Sequence, residues 1–458
     1  MINARMRRMI ARILTLPKEA YFTLNGWRFD DLKSHLGATV SRNDDSILAA
    51  TEVFSGAHKS STRRPRIALV TTLPPDETGI AIYSLRHVAA CKEDIDVFSS
   101  ARDVAYFLRN SVLVEARTGG RSALHALSSL LAFHEVNRYR RIVFVLGNSD
   151  HNLDVLRSLE RFAGCFGGEG VYCYLHDPCC HNLIQRGKRM SSKLYANYLE
   201  ELYRPSETVR GAADDAMPWK LHALATKKGM LGVRALVELG VRNFIVNSHA
   251  AKTLVQNDLH GVEGEEVSVE QLFHPVFDLE PGVSVKQGAA EERQMVVGTF
   301  GGANYGKGTD IVIDAVAQLR SEGRDVTLVV AGYGSRSFVS RHFMGTVPDW
   351  IETSEPQLER DLQLAMSSCD VAVQLRRENL GESSGVVPLL IKLKRPTIVS
   401  PIGAFMEYGQ AVIRADDNTV ESIVKMLRNP TVPTDAMAEY ASAHSLERFE
   451  ARFREIVA

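Results

Sequence analysis

The segment from Asn379 to Gly385 combines small side chains with one carboxylate, and it follows an apolar stretch that predicts a strand. The apolar residues after it predict a helix. Small residues at a helix start leave backbone N–H groups uncrowded, and the positive end of the helix dipole favours a bound phosphate. Glu382, within this segment, is able to accept hydrogen bonds from sugar hydroxyls. The segment is therefore a candidate site for a ligand that carries both phosphate and sugar.

A second glycine-rich loop, Gly301 to Gly308, follows another predicted strand and places Lys307 over the start of a helix at Thr309. The first seven positions of this loop fit a P-loop, but Gly308 stands where a Ser or Thr hydroxyl would hold magnesium. This excludes the NTPase interpretation. Two interpretations of Lys307 stay open, namely a diphosphate-binding cation and a solvated lysine in a turn.

Polar side chains also follow two predicted strands in the first half of the chain. His176 and Asp177 come directly after the strand Val171–Leu175, at the carboxyl edge of a sheet, where ligands bind in open α/β folds. Asn148 and Ser149 follow another strand. His176 is either a ligand-facing histidine or a buried structural one, and Asn148 and Ser149 are either acceptor-side polar groups or part of a turn.

Cysteine and histidine are dense around residue 176, which raises the question of a metal site. The group has no second pair of ligands with CxxC or HxxxH spacing, so the sequence predicts no metal there; its members are Cys173, His176, Cys179, Cys180 and His181. The six cysteines of the chain show no regular spacing, which favours a reducing compartment.

The elements that must position these residues alternate between strand and helix. A chain of 458 residues with 45% hydrophobic residues is long enough for two domains. Alternation of this type predicts parallel sheets covered by helices on both faces. The predicted strands are Arg66–Thr72, Ile95–Phe98, Ile142–Leu146, Val171–Leu175, Phe244–Val246, Met295–Phe300, Thr327–Ala331, Asp370–Leu375, Thr397–Ser400 and Ala411–Arg414.

A charged, glycine-containing stretch at 278–293 has the composition of an interdomain linker. The sequence thus predicts a leader at 1–64, a first Rossmann-like domain at 65–280 and a second at 281–430. The last residues, 431–458, are expected to form helices that pack back toward the first domain.

The charge balance and hydropathy limit the partners of the protein. The 54 basic and 55 acidic side chains nearly cancel, which argues against nucleic acid as a partner. No apolar run reaches the ~18 residues of a membrane span, and no signal peptide is apparent, so a cytoplasmic location is expected. The first 18 residues are basic and amphipathic. This segment either lies on an anionic membrane surface or packs on the domain with its basic face in water.

Several short motifs, taken in order, resemble those of family-4 glycosyltransferases of the GT-B fold. They are Pro74-Pro75 through Gly79, Gly147-Asn148-Ser149, Leu175 to Pro178, Val246-Asn247-Ser248, Lys307 to Asp310, Ala331 to Gly334, Ser368 to Val371, Gly381 to Gly385, Pro396 to Val399 and Gly403 to Glu407. The resemblance covers about residues 66 to 430. It implies two Rossmann-like doubly wound parallel-sheet domains that face a central cleft.

The resemblance also implies retaining transfer from a nucleotide sugar, held mainly by the second domain, to an acceptor held mainly by the first. Lys307, His176 and Glu382 would carry the catalytic roles, without a metal or a cofactor. The implied donor contacts are Gly302, Gly308, Gly332, Ser383, Ser384, Gly385 and Glu407, and the implied acceptor side comprises Gly79, Asn148, Ser149 and Asp177.

Two positions depart from the family pattern. Members often carry an arginine directly after the glycine of the strand, whereas here Thr299 follows Gly298. The family's second glutamate, which contacts the ribose, falls on Leu389. Glu407 is either its substitute or a surface carboxylate.

The leading hypothesis is therefore a hexosyltransferase that acts on a lipid-linked or polysaccharide acceptor in surface glycan synthesis. The basic leader would hold it at the inner face of the plasma membrane. Another nucleotide-sugar enzyme of the GT-B fold, an epimerase or a hydrolase, stays open. So does a catalytically degenerate scaffold that only binds a nucleotide sugar.

Overall fold

A computed structural model describes residues 67–74, 76, 78–91, 94–100, 104–119, 121–204, 208–262, 266–285, 294–356, 358–431 and 433–458. The predicted leader with its amphipathic segment lies outside these residues, as does part of the predicted linker. Among the described residues, no helix is both long enough and apolar enough to cross a membrane.

Within the described residues, seven strands form the first sheet, in the order β3-β2-β1-β4-β5-β6-β7. β1 pairs in parallel with β2 and β4, β2 with β3, and β4 with β5. The five strands predicted for this half are confirmed, and the structure adds the edge strands β3 and β7. The bounds are β1 Ile67–Val70, β2 Ile95–Ser99, β3 Ala123–Ala126, β4 Arg141–Leu146, β5 Val171–Leu175, β6 Asn243–Val246 and β7 Ser268–Gln271.

The helices that accompany this sheet begin with α1, whose first turn is capped by Thr78. Short 3₁₀ turns occupy Leu127–Ser129, Asp150–Asn152 and Arg210–Ala212. The helix bounds are α1 Gly79–Ala90, α2 Val104–Thr118, α3 Leu130–Asn137, α4 Leu153–Phe166, α5 His181–Gly187, α6 Ser192–Tyr203, α7 Pro218–Lys227, α8 Arg234–Val237 and α9 His249–Leu259.

The second sheet has the order β10-β9-β8-β11-β12-β13 among the described residues, and its pairings are parallel. The five predicted strands are confirmed, and β10 is an additional edge strand. The bounds are β8 Met295–Phe300, β9 Val326–Ala331, β10 Ile351–Ser354, β11 Val371–Gln374, β12 Thr397–Val399 and β13 Ile413–Arg414.

Helix α10, which follows the glycine-rich loop, buries its apolar face against this sheet, as its sequence period predicts. The helices are α10 Thr309–Ser321, α11 Ser335–His342, α12 Glu359–Ser368, α13 Val387–Lys392, α14 Val420–Arg428, α15 Thr434–Ala443 and α16 Leu446–Val457, with 3₁₀ turns at Tyr305–Lys307 and Gly403–Ala411.

The contacts divide the chain into two compact units. The second unit comprises residues 176–178, 245–260 and 269–458, and the other described residues form the first. Within the second unit, Arg452 of α16 forms an ion pair with Glu270 of β7. Two parallel sheets with interleaved helices make this an α/β protein of two doubly wound halves.

Candidate functional site

The strand order of the second sheet reverses between β8 and β11, and this defines a topological switch point. In open α/β sheets, ligands bind outside the carboxyl ends of the strands at this point. The loops that follow β8 and β11 are the glycine-rich loop with Lys307 and the segment that contains Glu382. The fold thus brings together the two loops that the sequence singles out.

The ammonium group of Lys307 lies over the first two glycines of its own loop. A Cβ atom on Gly301 would be 3.4 Å from Lys307 Nζ, and one on Gly302 would be 3.6 Å from it. Asn304 holds this geometry, because its Oδ1 atom accepts a hydrogen bond from the Lys307 N–H at 3.0 Å. Burial, and secondarily the nearby Arg376, lower the pKa of Lys307 to about 8. This loop therefore presents a partly desolvated cation at the switch point.

Arg376, directly after β11, is a second cation at this place, and none of the sequence motifs marks it. Its backbone N–H donates to Ser400 Oγ at 2.7 Å, and its carbonyl accepts from Asn418 Nδ2 at 2.7 Å. The guanidinium lies 5.4 Å from the ring centroid of Phe405. One feature of the sequence could have pointed to Arg376. It is a basic residue directly after the predicted strand Asp370–Leu375.

Arg377, the next residue, connects the two loops. Its guanidinium forms an ion pair with Asp310 and donates to the Tyr305 carbonyl at 2.9 Å. Its backbone N–H donates to the Gly306 carbonyl, also at 2.9 Å. Within the described part of the chain, neither Lys307 nor Arg376 forms an ion pair of this kind.

Glu382 is partly buried, and its loop is fixed by Asn379. Glu382 Oε2 accepts from the Leu380 N–H at 2.8 Å. Burial raises the pKa of Glu382, and the Asp177 carboxylate raises it further, whereas hydrogen bonds from backbone N–H groups and the Arg376 charge lower it. Asn379 Oδ1 accepts from Gly381 N–H at 2.8 Å and from Ala404 N–H at 2.9 Å. Glu382, Asp177 and Arg376 are thus electrostatic neighbours.

The two serines after Glu382 have structural contacts. Ser383 Oγ donates to the Asn247 carbonyl at 3.3 Å. Ser384 is buried, and its Oγ atom accepts from the N–H groups of Val386 and Val387 at the start of α13. Gly385 is exposed.

His176 falls in the second unit together with the loop after β6. Its Nδ1 atom is 3.1 Å from Asn247 Nδ2, and Asn247 itself is buried. The same loop contributes Ser248, whose Oγ atom donates to the Gly381 carbonyl. The structure therefore links His176 through Asn247 and Ser248 to the loop of Glu382.

Glu407 caps helix α9. Its two carboxylate oxygens accept from the backbone N–H groups of His249 and Ala250, at 3.0 and 2.9 Å. Leu389 is 4% exposed within the core, so the position of the family's second glutamate faces no solvent. Both carboxylate oxygens of Glu407 thus already accept hydrogen bonds in this structure. Ribose binding by Glu407 stays a prediction.

Two of the predicted donor-side glycines permit a close approach of neighbouring chain segments. Gly332 has φ +149°, and a Cβ on it would lie 2.1 Å from the Gly301 carbonyl oxygen. Gly308 has φ +60°, and a Cβ on it would lie 3.0 Å from the Leu375 Cβ atom. These glycines set the spacing between the loops at the switch point.

The predicted acceptor-side residues of the first unit take part in local contacts. Gly79 begins α1. Asn148 Oδ1 accepts from the Leu183 N–H at 3.0 Å, and Ser149 Oγ accepts from Asn152 Nδ2 at 3.1 Å. Contacts with an acceptor remain a prediction.

The residues around the cysteine and histidine cluster are mostly buried. The His181 ring forms hydrogen bonds with the Tyr195 hydroxyl and the Met230 carbonyl, each at 2.8 Å. Burial lowers the pKa of His181 to about 3. Burial raises the pKa of the Cys173 thiol. No group of three or more metal-ligating side chains occurs in the part of the chain that the structure describes.

No protein-family model matches this chain, and no curated protein matches it. Solved structures do. Anabaena HepE, solved with UDP and glucose, superimposes with a TM-score of 0.55 at 14% identity, over 85% of this chain and 98% of that one. Sucrose-phosphate synthase of Thermosynechococcus elongatus gives 0.54 at 13% identity, over 86% and 98%. The α,α-trehalose-phosphate synthase of Burkholderia xenovorans gives 0.53 at 11% identity, over 86% and 100%.

These neighbours, together with the two doubly wound sheets, show that the chain has the GT-B fold. At such low identities the likeness concerns the fold. The chemistry has to be argued from the residues of the chain itself.

Proposed function

We propose that the protein is a retaining glycosyltransferase that moves a hexose from a nucleotide sugar to a lipid-linked or polysaccharide acceptor. One observation carries this proposal. Lys307 presents a partly desolvated cation over Gly301 and Gly302 at the switch point of the second sheet, with no carboxylate paired to it among the described residues. A diphosphate is the ligand that such a cation fits.

In the proposed reaction, the bond between the anomeric carbon and the diphosphate breaks while a bond to the acceptor oxygen forms. Negative charge then develops on the departing diphosphate, and a fixed cation stabilises it most effectively in a site that excludes water. The proton of the acceptor hydroxyl passes to the leaving phosphate on the same face of the sugar. This route needs neither a metal ion nor an obligatory protein base.

Glu382 and His176 are proposed to hold the sugar beside the diphosphate. A carboxylate accepts hydrogen bonds from sugar hydroxyls, and an imidazole is able to donate or to accept one. The neighbours support a sugar nucleotide as donor, since HepE was solved with UDP-glucose. The lipid-linked or polysaccharide acceptor, and a place at the inner face of the plasma membrane, are proposed from the basic leader.

A thermal-shift screen tests the donor first. The full chain would be heated with UDP, GDP, ADP and their sugar conjugates, because a ligand that binds only the folded state stabilises it by about 2.7 kcal/mol at 100 times its Kd. We expect one nucleotide family to raise the melting temperature. No shift with any nucleotide would refute the proposal.

Transfer assays on Lys307→Ala then test the chemistry. We expect most of the turnover to be lost while the fold is retained. The control is Lys425→Ala, since Lys425 of α14 is an exposed cation that pairs with Asp416. Unchanged transfer by Lys307→Ala would rule out the diphosphate role. Nucleotide binding without turnover would instead indicate a scaffold, and donor consumption without an acceptor would indicate an epimerase or a hydrolase.

A further inference from the structure

We propose that Arg376 binds the donor diphosphate together with Lys307, and so replaces the arginine that the family resemblance predicts after Gly298. The inference rests on the proposed function, and it assigns a residue that the family motifs do not mark. The replacement comes from a different strand, β11, which neighbours β8 at the switch point.

The position after Gly298 is unable to supply a cation. Thr299 lies inside β8, where it is 7% exposed and aligned with Val330 of β9. A hydroxyl held within the sheet carries no charge. If the diphosphate is to meet two cations, the second one has to come from another element.

Arg376 is positioned rigidly enough for this role. Its backbone is fixed on one side by Ser400 and on the other by Asn418, both through hydrogen bonds of 2.7 Å. The guanidinium lies beside the Phe405 ring, and its Nη1 atom donates to the Leu375 carbonyl at 2.8 Å. A guanidinium has five N–H donors in a planar fork that matches two phosphate oxygens. Among the described residues, the guanidinium donates one hydrogen bond, to Leu375, so most of its donors remain for a ligand.

The charges at the site also favour an anion between the two side chains. Lys307 and Arg376 are close enough for Arg376 to lower the pKa of Lys307, and burial disfavours the charged form of both. Neither cation has an ion-pair partner among the described residues. Glu382 offsets part of the Arg376 charge, but two partly desolvated like charges held together stay unfavourable without a further anion. A diphosphate supplies this compensation.

Arg377, the adjacent residue, is an arginine whose side chain is engaged in structural contacts. Arg377 forms an ion pair with Asp310 and donates to two carbonyls of the Lys307 loop. Arg376 has Glu382 as an electrostatic neighbour without an ion pair. Arg376 thus has an electrostatic neighbour at the proposed diphosphate end of the donor, Lys307, and one at the proposed sugar end, Glu382.

Isothermal titration calorimetry on Arg376→Met tests the assignment. The probes are the nucleoside diphosphate that stabilises the wild type most in the screen and the corresponding nucleoside without phosphate. A hydrogen bond to a charged group contributes roughly 1.5–3 kcal/mol, which corresponds to about 10–100-fold in affinity. We expect this loss for the diphosphate and a change of less than about twofold for the nucleoside.

Two further variants separate binding from structure. Arg376→Lys keeps the charge but not the planar fork, so it should recover part of the diphosphate affinity. Arg341→Met removes an exposed arginine of α11 and should bind like the wild type. If Arg376→Met does not fold, Arg376→Lys is the deciding variant, and a selective loss for the diphosphate is again the expected result.

The outcomes distinguish this inference from the proposed function. If the wild type binds a nucleoside diphosphate and the Arg376 variants bind it equally well, the inference is wrong and the proposed function stands. If the variants lose diphosphate and nucleoside to the same extent, Arg376 is structural and the inference is again wrong. If the wild type binds no nucleoside diphosphate, both fail.

Discussion

At the scale of single residues, the acidity of Lys307 is the property with the clearest consequence. A free lysine titrates near pH 10.4, whereas burial and the neighbouring Arg376 bring the pKa of Lys307 to about 8. A bound diphosphate favours the charged form and raises this pKa again. Binding above pH 8 therefore requires proton uptake.

We predict that the affinity for the nucleoside diphosphate is highest below pH 8 and falls as the pH rises through 8. Burial sets this midpoint in the first place, and the Arg376 charge lowers it further. Glu382 in turn favours the charged form of Arg376. Calorimetry between pH 6.5 and 9.5 would measure the effect. In Arg376→Met the midpoint should move upward, because loss of a positive neighbour raises the pKa of Lys307. A profile that is identical in Lys307→Met would contradict the assignment.

For His176 we predict a loss of rate without a loss of nucleotide affinity. The His176 ring is linked to Asn247 and, through the loop after β6, to the segment of Glu382. His176→Ala should lower the transfer rate by about tenfold or more, the size of one hydrogen bond in the transition state. Diphosphate affinity should stay within about twofold. His260→Ala, at an exposed position after α9, is the matched control. Equal rates in the two variants would make His176 structural.

At the scale of elements, Asn379 joins two loops of the site. Its side chain accepts from the backbone of Gly381 and Ala404 and donates to the Glu382 carbonyl. A Cβ on Gly403 would lie 2.0 Å from Asn379 Oδ1, so the amide fills the space that this glycine leaves.

Asn379→Ala should therefore destabilise the protein by about 1–3 kcal/mol, because it leaves buried N–H groups without their acceptor. Urea denaturation followed by circular dichroism would measure the change. Asn429→Ala, at an exposed position after α14, should have an effect within about 0.5 kcal/mol. Equal stabilities of the two variants would show that the amide does not hold the loops.

A pair of glycine substitutions tests the spacing between the loops after β8 and β9. Gly332→Ala places a Cβ against the Gly301 carbonyl at a positive φ, so we expect a loss of about 3 kcal/mol or more. Gly164→Ala, inside the exposed part of α4, meets nothing within 4 Å and should stabilise by about 0.5–1 kcal/mol. The difference would appear in the denaturation midpoints. Similar shifts for both variants would mean that the close approach is relaxed in solution.

The sequence predicted the buried strands better than the edge strands, and the reason is physical. β4, β8 and β9 are mostly buried and consist largely of apolar residues. Of the four edge strands among the described residues, β13 was predicted, whereas β3, β7 and β10 were not; their short, partly exposed segments contain polar residues. Such segments carry little periodic signal.

The same limit applies to the site. Lys307 could be predicted because glycines mark its loop. Arg376 belongs to no motif, and only the pairing of β8 with β11 shows that it lies at the switch point. The capping of α9 by Glu407 depends on a contact between residues 158 positions apart in the chain, which no local pattern encodes.

At the scale of the whole molecule, both sheets share one strand order. In each sheet, the first strand of that half lies beside the second strand on one side and the fourth on the other. This is the order of a doubly wound fold with a single switch point. The second unit also includes residues 176–178 and 245–260, which lie far away in sequence. Hydrogen bonds from Ser248 and to Glu407 account for this membership. The linker composition at 278–293 did not predict that these two segments belong to the second unit. Composition indicates where a chain is polar, but not which distant segments are in contact.

The basic leader leads to the last prediction, which concerns where the molecule works. The first 18 residues contain Arg5, Arg7, Arg8, Arg12 and Lys18, and no acidic residue occurs before Glu19. A basic residue near an anionic membrane surface contributes about 1 kcal/mol. Replacing the four arginines by glutamine in the full chain should therefore weaken binding to phosphatidylserine-containing vesicles by about 100-fold or more.

Co-sedimentation at low and at physiological salt would measure this binding, which should fall with added salt because the attraction is electrostatic. The glutamine variant should bind the nucleoside diphosphate as the wild type does, since the switch-point residues of the second sheet are unchanged. Vesicle binding that is the same in both proteins would place the membrane contact elsewhere or remove it. Reduced nucleotide affinity would show instead that the leader supports the folded domains, because a segment that serves only as a membrane anchor has no effect on a soluble ligand.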